Sequence, residues 1–239
     1  MRRQLEASRS RWGGRNGRPT GGRVTAWATT AARTLSLALI GAGVLTLAWV
    51  FVTWRWRDPI TAIQGWRHQR ALAAQLRTRQ APSKASSLVQ RASVYRRASH
   101  DGEAMGRILI PRLSLDAVLV EGTSEADLDQ GPGLYAGDYL PGEGRLVYVA
   151  GHRTTYSAPF SQINRLRRGD TVTIRMPYGT FRYRVSSHRI VTAADVAVLR
   201  SGRRELLILQ SCHPRFSATH RHLVYALPVH ARSSTTRSG

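Results

Sequence analysis

Leu206-Leu207-Ile208-Leu209-Gln210-Ser211-Cys212-His213-Pro214 is the segment on which the fold reading turns. Four apolar residues in succession read as a buried strand. Pro214 stops it, having no backbone N–H to give to a ladder. Cys212, the only cysteine of the chain, thereby sits at the strand's end. Arg221 opens a second apolar run, Leu223-Val224-Tyr225-Ala226-Leu227, and His152 closes a third, Leu146-Val147-Tyr148-Val149-Ala150-Gly151. A thiol, a guanidinium and an imidazole thus fall at the ends of three candidate core strands. Strand ends on a rigid sheet are where a fold can hold reactive groups in fixed geometry. That points to cysteine-based acyl transfer.

Further short runs extend the pattern: Arg107 to Ile110, Asp116 to Val120, Thr171 to Met176, Thr180 to Val185 and Arg189 to Val191. Tyr178-Gly179 is a hairpin-turn signal between two alternating strands. Seven or eight short strands within residues 103–231 predict an all-β domain, a closed barrel or a sandwich. Two short helices are expected, Glu125 to Gln130 capped by Ser124 and Pro159 to Leu166 capped by Ser157.

The chain carries a net charge of +22, yet most of the excess lies in residues 1–102, outside the expected domain. No nucleic-acid reader motif accompanies it, and basic tails of this kind meet anionic lipid or stay solvated. Residues 34–54, Thr34 to Trp54, hold no charge and are long enough to cross a hydrocarbon core of about 30 Å. Trp49, Trp54 and Trp56 crowd the far end like an interfacial belt. Phe51 to Trp56 offers no small-residue cleavage site, so a retained anchor is expected. Arginines at 2, 3, 9, 11, 15, 18, 23 and 33 place the N-terminus on the cytoplasmic side and the rest outside. Residues 1–33 read as a basic cytoplasmic tail, disordered over 1–23, and residues 232–239 as a C-terminal tail. Residues 55–102 read as a linker, helical over Ile60 to Gln80 and poor in core-forming residues beyond Pro82. As a flexible coil it would reach roughly 40 Å.

A free thiol near pKa 8.5 is mostly un-ionised at neutral pH, so a nucleophilic cysteine needs a nearby positive charge or base. Arginine stays protonated and can only stabilise an oxyanion or orient a carbonyl. Histidine can protonate a departing amine. His213 neighbours Cys212, and His220 and His222 flank Arg221, so strand alternation turns all three to the opposite face. These histidines and Cys212 lack zinc-ligand spacing, and no metal or cofactor is expected. A lone cysteine in an apolar run is as a rule a small buried hydrophobe, so Cys212 by itself leaves core and nucleophile both open.

The local strings carry more. Ala150-Gly151-His152-Arg153-Thr154-Thr155-Tyr156 followed by Pro159-Phe160 resembles the histidine motif of the sortases. Cys212-His213-Pro214, with Arg221 nine residues later, resembles their cysteine and arginine motifs. Met105 to Leu113, Glu121-Gly122-Thr123 and Leu166 to Asp170 are similar to the family's opening strands and central turn. The resemblance covers about residues 103–231 and is nearest to class E, the actinobacterial housekeeping type. It implies an eight-stranded β-barrel behind a single transmembrane helix. It implies a cysteine transpeptidase acting on surface proteins with a C-terminal LPxTG-like or LAxTG-like sorting signal. Cys212 would attack the Thr carbonyl, His152 protonate the leaving Gly amine, and Arg221 hold the substrate or oxyanion. A peptidoglycan-precursor amine would resolve the thioacyl enzyme. Pilin polymerisation, or hydrolysis of the same bond, is the alternative outcome. Thr154 and Tyr156 of one motif and Gln210 and Ser211 of the other would border the substrate. Gln210 departs from the family, which usually has Thr there.

Overall fold

The computed structural model describes residues 24–55, 59–81, 87–135, 139–200 and 202–229. The expected disordered segment 1–23 and C-terminal tail 232–239 lie outside them. Helix α1 (Val24–Arg55) belongs as far as Val52 to a unit separate from the rest, and its stretch Thr29–Val52 is long and apolar enough to cross a membrane. It extends the uncharged run by a further turn or more at its N-terminal end, taking in Arg33.

The second unit holds α2 (Pro59–Thr78), α3 (Leu88–Arg97), β1 (Ala104–Ile110), β2 (Leu115–Glu121), α4 (Glu125–Gln130), β3 (Gly133–Leu134), β4 (Leu146–Ala150), β5 (Thr171–Met176), β6 (Gly179–Thr192), β7 (Leu206–His213) and β8 (His220–Pro228). The strands close into a barrel in the order β1-β2-β3-β4-β7-β8-β6-β5, which bears out the eight-stranded expectation. Its membership differs from the sequence reading. The runs at Thr180 and Arg189 fuse into β6, bent by a bulge between Val185 and Ser187. The two-residue strand β3 takes the eighth place, pairing parallel to β2 and antiparallel to β4. Met176 pairs with Gly179, so the hairpin turn is Pro177-Tyr178, one residue earlier than expected.

Alternation along the strands makes two apolar layers. Val147, Val149, Leu207, Leu209, Val224 and Ala226 point into the barrel with Tyr183 and Phe160. Leu146, Tyr148, Ala150, Ile208 and Leu223 form an outer layer with Val191, covered by Leu199. Phe160 is fully buried, which at about 25 cal/mol per Å² contributes roughly 2–3 kcal/mol.

The segment read as a linker packs on the barrel. Gln69 on α2 acts as a surrogate strand: its Oε1 accepts from Val118 N at 2.7 Å and its Nε2 donates to Val118 O at 3.1 Å. The backbone groups of Val118 that face away from β1 are thereby satisfied. Helix α3 begins with a capping box, Ser87 with Gln90. It buries Ala92 and Tyr95, whose hydroxyl donates to Met105 O at 2.9 Å. The expectation of little core-forming content beyond Pro82 is corrected by these two residues. They are too few to make an amphipathic signal, but α3 places both on the barrel side.

Helix α4 forms as expected, with Ser124 and Asp127 making a reciprocal cap. The second expected helix does not. Tyr156, Ser157 and Ala158 have positive φ, and only Ile163–Arg165 makes a 3₁₀ turn. Phe160 N donates back to His152 O at 3.1 Å, so the backbone there closes a loop around His152 instead of a helix.

Candidate active site

Register places the site. β7 and β8 pair antiparallel with Cys212 directly opposite Arg221. β4 runs parallel to β7, with Ala150 beside Gln210 and Gly151 N donating to Gln210 O at 3.0 Å. The next residue on the β4 side is His152. Gly151 is required by a close approach: a Cβ there would lie 2.7 Å from the Phe160 ring. Cys212, His152, Arg221 and Gln210 line one cavity of about 320 Å³, together with Tyr148 and Leu199. Cys212 is half-buried.

Each group is held. His152 Nε2 stands 3.3 Å from Asp129 Oδ1, with both side chains about one-quarter exposed. The Tyr156 ring lies 5.3 Å from the imidazole. Arg221 Nη1 donates to Ala218 O at 2.7 Å and His220 O at 3.2 Å, which fixes the guanidinium on its own hairpin. Tyr148 Oη donates to Gln210 Oε1 at 2.6 Å.

Arg153 follows His152 and is turned the other way. It is 7% exposed, and Nη1 donates to Cys212 O at 3.0 Å and to His213 Nδ1 at 3.1 Å. Because a guanidinium only donates, Nδ1 of His213 is the acceptor. Nη2 donates to Asn164 Oδ1 at 3.3 Å. Burial, then Arg215, lowers the Arg153 pKa, and attraction to Cys212 opposes them. A buried cation without a carboxylate partner among the described residues therefore sits behind the thiol.

Four of the seven sequence-read site residues share the cavity. Ser211 alternates to the barrel side, fully buried, its hydroxyl without a hydrogen-bond partner among the described residues. Thr154 and Tyr156 are half-buried and outside the cavity lining. His213 and His222 lie on the face opposite Cys212 and Arg221, with their rings 5.9 Å apart. Sequence reading passed over Asp129, Arg153 and Tyr148. Asp129 carried no signal, since it reaches His152 only through the α4 turn. Arg153 lies within the histidine motif, but nothing in its sequence position ties it to Cys212. No group of three or more His, Cys, Asp or Glu side chains fit to hold a metal ion occurs among the described residues.

A closed barrel with cysteine, histidine and arginine side chains in one cleft at its strand ends defines a thiol-site β-barrel protein. Residues 108–229 match the family described as Sortase domain, and the chain belongs to the sortase family. It is 33% identical to Sortase D of Bacillus subtilis over 133 residues, 54% of this chain and 65% of that protein. It is 29% identical to Sortase SrtE1 of Streptomyces coelicolor over 225 residues, 86% of this chain and 59% of that protein. The chain thus spans under two thirds of the length of these relatives. The structure of Streptomyces coelicolor Sortase E1 with a tripeptide in its active site superposes with a TM-score of 0.51 at 28% identity, covering 56% of this chain and 92% of the other. A Clostridium perfringens Sortase D5 transpeptidase matches the fold with a TM-score of 0.56 at 19% identity, over 70% of this chain and 98% of the other.

Proposed function

We propose that this chain is a membrane-anchored cysteine transpeptidase that cleaves an LPxTG-like or LAxTG-like sorting signal between Thr and Gly. The observation that carries the reading is the register pair Cys212–Arg221 with His152 in the same cavity. Cys212, as thiolate, adds to the Thr carbonyl carbon. Arg221, its Nη1 tied to the hairpin, offers its remaining N–H groups to the oxyanion, and such fixed donors are worth most where charge develops. His152, oriented by Asp129, gives its proton to the Gly nitrogen as the C–N bond breaks. A thioester on Cys212 remains. An acceptor amine, for which a cell-wall precursor is the fitting class, attacks that carbonyl and loses a proton to His152, and the C–S bond breaks to restore the thiolate. Helix α1 supports a single-pass anchor, with the basic N-terminus inside and the barrel outside.

The test is incubation of the full-length chain in detergent with both peptides, with and without an amine such as triglycine or diaminopimelate. Amide product that depends on the amine supports transpeptidation. Release of free acid alone, at the same rate with and without amine, identifies a hydrolase and refutes it.

A further inference from the structure

A second cavity of about 640 Å³ adjoins the Cys212 cavity, with Asp195 in the wall of both. Their floors are continuous. On β7, Cys212 and Gln210 line the first cavity and Ile208 and Leu206 the second. On β6, Val191 lines the first and Arg189 the second. The two-residue period puts each series on one outer face. From Cys212 to Leu206 the groove runs about 20 Å at roughly 3.3 Å per residue.

The far end is cationic. Arg189, Arg200, Arg203 and Arg204 line it, all exposed. Both carboxylates in its wall accept hydrogen bonds from groups other than these arginines. Asp195 Oδ1 accepts from Ala197 N at 3.1 Å. Glu205 accepts from Tyr183 Oη at 2.6 Å, Gly142 N at 3.1 Å and Gly144 N at 3.2 Å. Among the described residues none of the four arginines has a carboxylate partner. Ile208 and Tyr225 give the basin an apolar floor.

We propose that this basin is an exosite for an acidic stretch of the donor polypeptide, immediately N-terminal to the cleaved signal. The proposal rests on the transpeptidase reading above. Laid out along β7, an acyl chain joined to the Cys212 sulfur follows the groove floor from the first cavity into the second. Four extended residues cover about 13 Å, which uses the first cavity, and the residues before them meet the arginines. Charge complementarity selects acidic side chains there, and the apolar floor suits an interspersed aliphatic or aromatic one. The acceptor is a separate molecule that needs to reach only the thioester carbon.

Two peptides with one sorting signal, preceded by four acidic residues or by four Ser/Gln residues, test this on the full-length chain in detergent. The acidic flank should lower KM about tenfold at low salt with kcat unchanged, since several exposed pairs each contribute modestly. The advantage should vanish in 0.5 M NaCl and in the Arg200→Gln/Arg203→Gln/Arg204→Gln variant, whose kcat on the neutral peptide should match the parent. Binding of both peptides to Cys212→Ala, measured by fluorescence anisotropy, reads the exosite even where no peptide is cleaved. Tighter binding of the acidic peptide there, lost in the arginine variant, supports the exosite independently of the chemistry. Equal KM and equal binding for the two peptides overturn the proposal. So does an acidic preference that survives the arginine substitutions. An arginine variant that raises KM only for an anionic acceptor assigns the basin to the acceptor and refutes the donor assignment.

Discussion

Replacing His222 by glutamine is expected to tilt the pH dependence of stability. His222 is 7% exposed on the interior face of β8. Its Nε2 lies 2.9 Å from His188 Nδ1, and its Nδ1 has no partner among the described residues. Burial first, then His188, Arg153 and His213, push its pKa from 6.5 down to about 4. In the unfolded chain this histidine begins to take up a proton near pH 6.5, while in the folded chain its imidazole stays neutral. Stability present above 6.5 is therefore lost as pH falls through about 4, and a displacement of that size corresponds to about 3 kcal/mol. Glu121 works in the opposite direction. It is 5% exposed, and burial above all, with Asp101 adding, raises it from 4.5 to about 7. Between those values the folded chain keeps a proton that the unfolded chain has released. Its stabilisation is thus present below pH 4.5 and lost as pH rises through 7. The two effects oppose each other over one interval. Against the parent, His222→Gln should gain about 2–3 kcal/mol on going from pH 7.5 to 4.5, and Glu121→Gln should lose about as much. Urea unfolding of the full-length chain in detergent, at both pH values, measures this. Tyrosine near-UV circular dichroism is the right probe, because all six tryptophans lie at or before Trp66, outside the barrel strands. Profiles that run parallel in parent and variants would show that neither burial displaces these protonation equilibria.

Gly151→Ala should push Phe160 off its seat and misplace His152, costing about 1–3 kcal/mol as overpacking does and lowering kcat; thermal unfolding and peptide cleavage check both. Arg153→Gln removes the cation bonded to the Cys212 carbonyl and should lower kcat roughly tenfold to a hundredfold, as loss of a charged hydrogen bond does. Arg153→Lys should recover part of that loss, and steady-state kinetics with KM near the parent's is the expected signature. Tyr148→Phe leaves Gln210 Oε1 without its donor, so stability should fall by about 1 kcal/mol; a rise in KM with kcat unchanged would place Gln210 against the substrate.

The strands that carry Cys212 and Arg221, and the one that leads to His152, were legible because each is an apolar run ended by a polar residue, and Gln210 because strand alternation turns it with Cys212. Strand β3 was not, since two residues held by backbone pairing to β2 and β4 leave no side-chain pattern. Helix α3 was missed because its barrel contact rests on Ala92 and Tyr95 while Leu88, Val89 and Val94 stay exposed. The fusion of two runs into β6 depends on a bulge that no alternation signals. Asp129 and Arg153 meet their partners only by approach in space: Asp129 is 23 residues from His152, and Arg153 is 59 from Cys212. The chemistry-bearing types could be picked out by kind, but the groups that hold them required the closed barrel.

The most direct test is mass spectrometry of the full-length chain mixed with a sorting-signal peptide and quenched in acid before an amine is added. The added mass should equal the acyl fragment ending at Thr, be released by hydroxylamine, map to the peptide bearing Cys212 and be absent from Cys212→Ala. Cleavage of the peptide by Cys212→Ala at the parent's rate, or an acyl group found on any other residue, would contradict it.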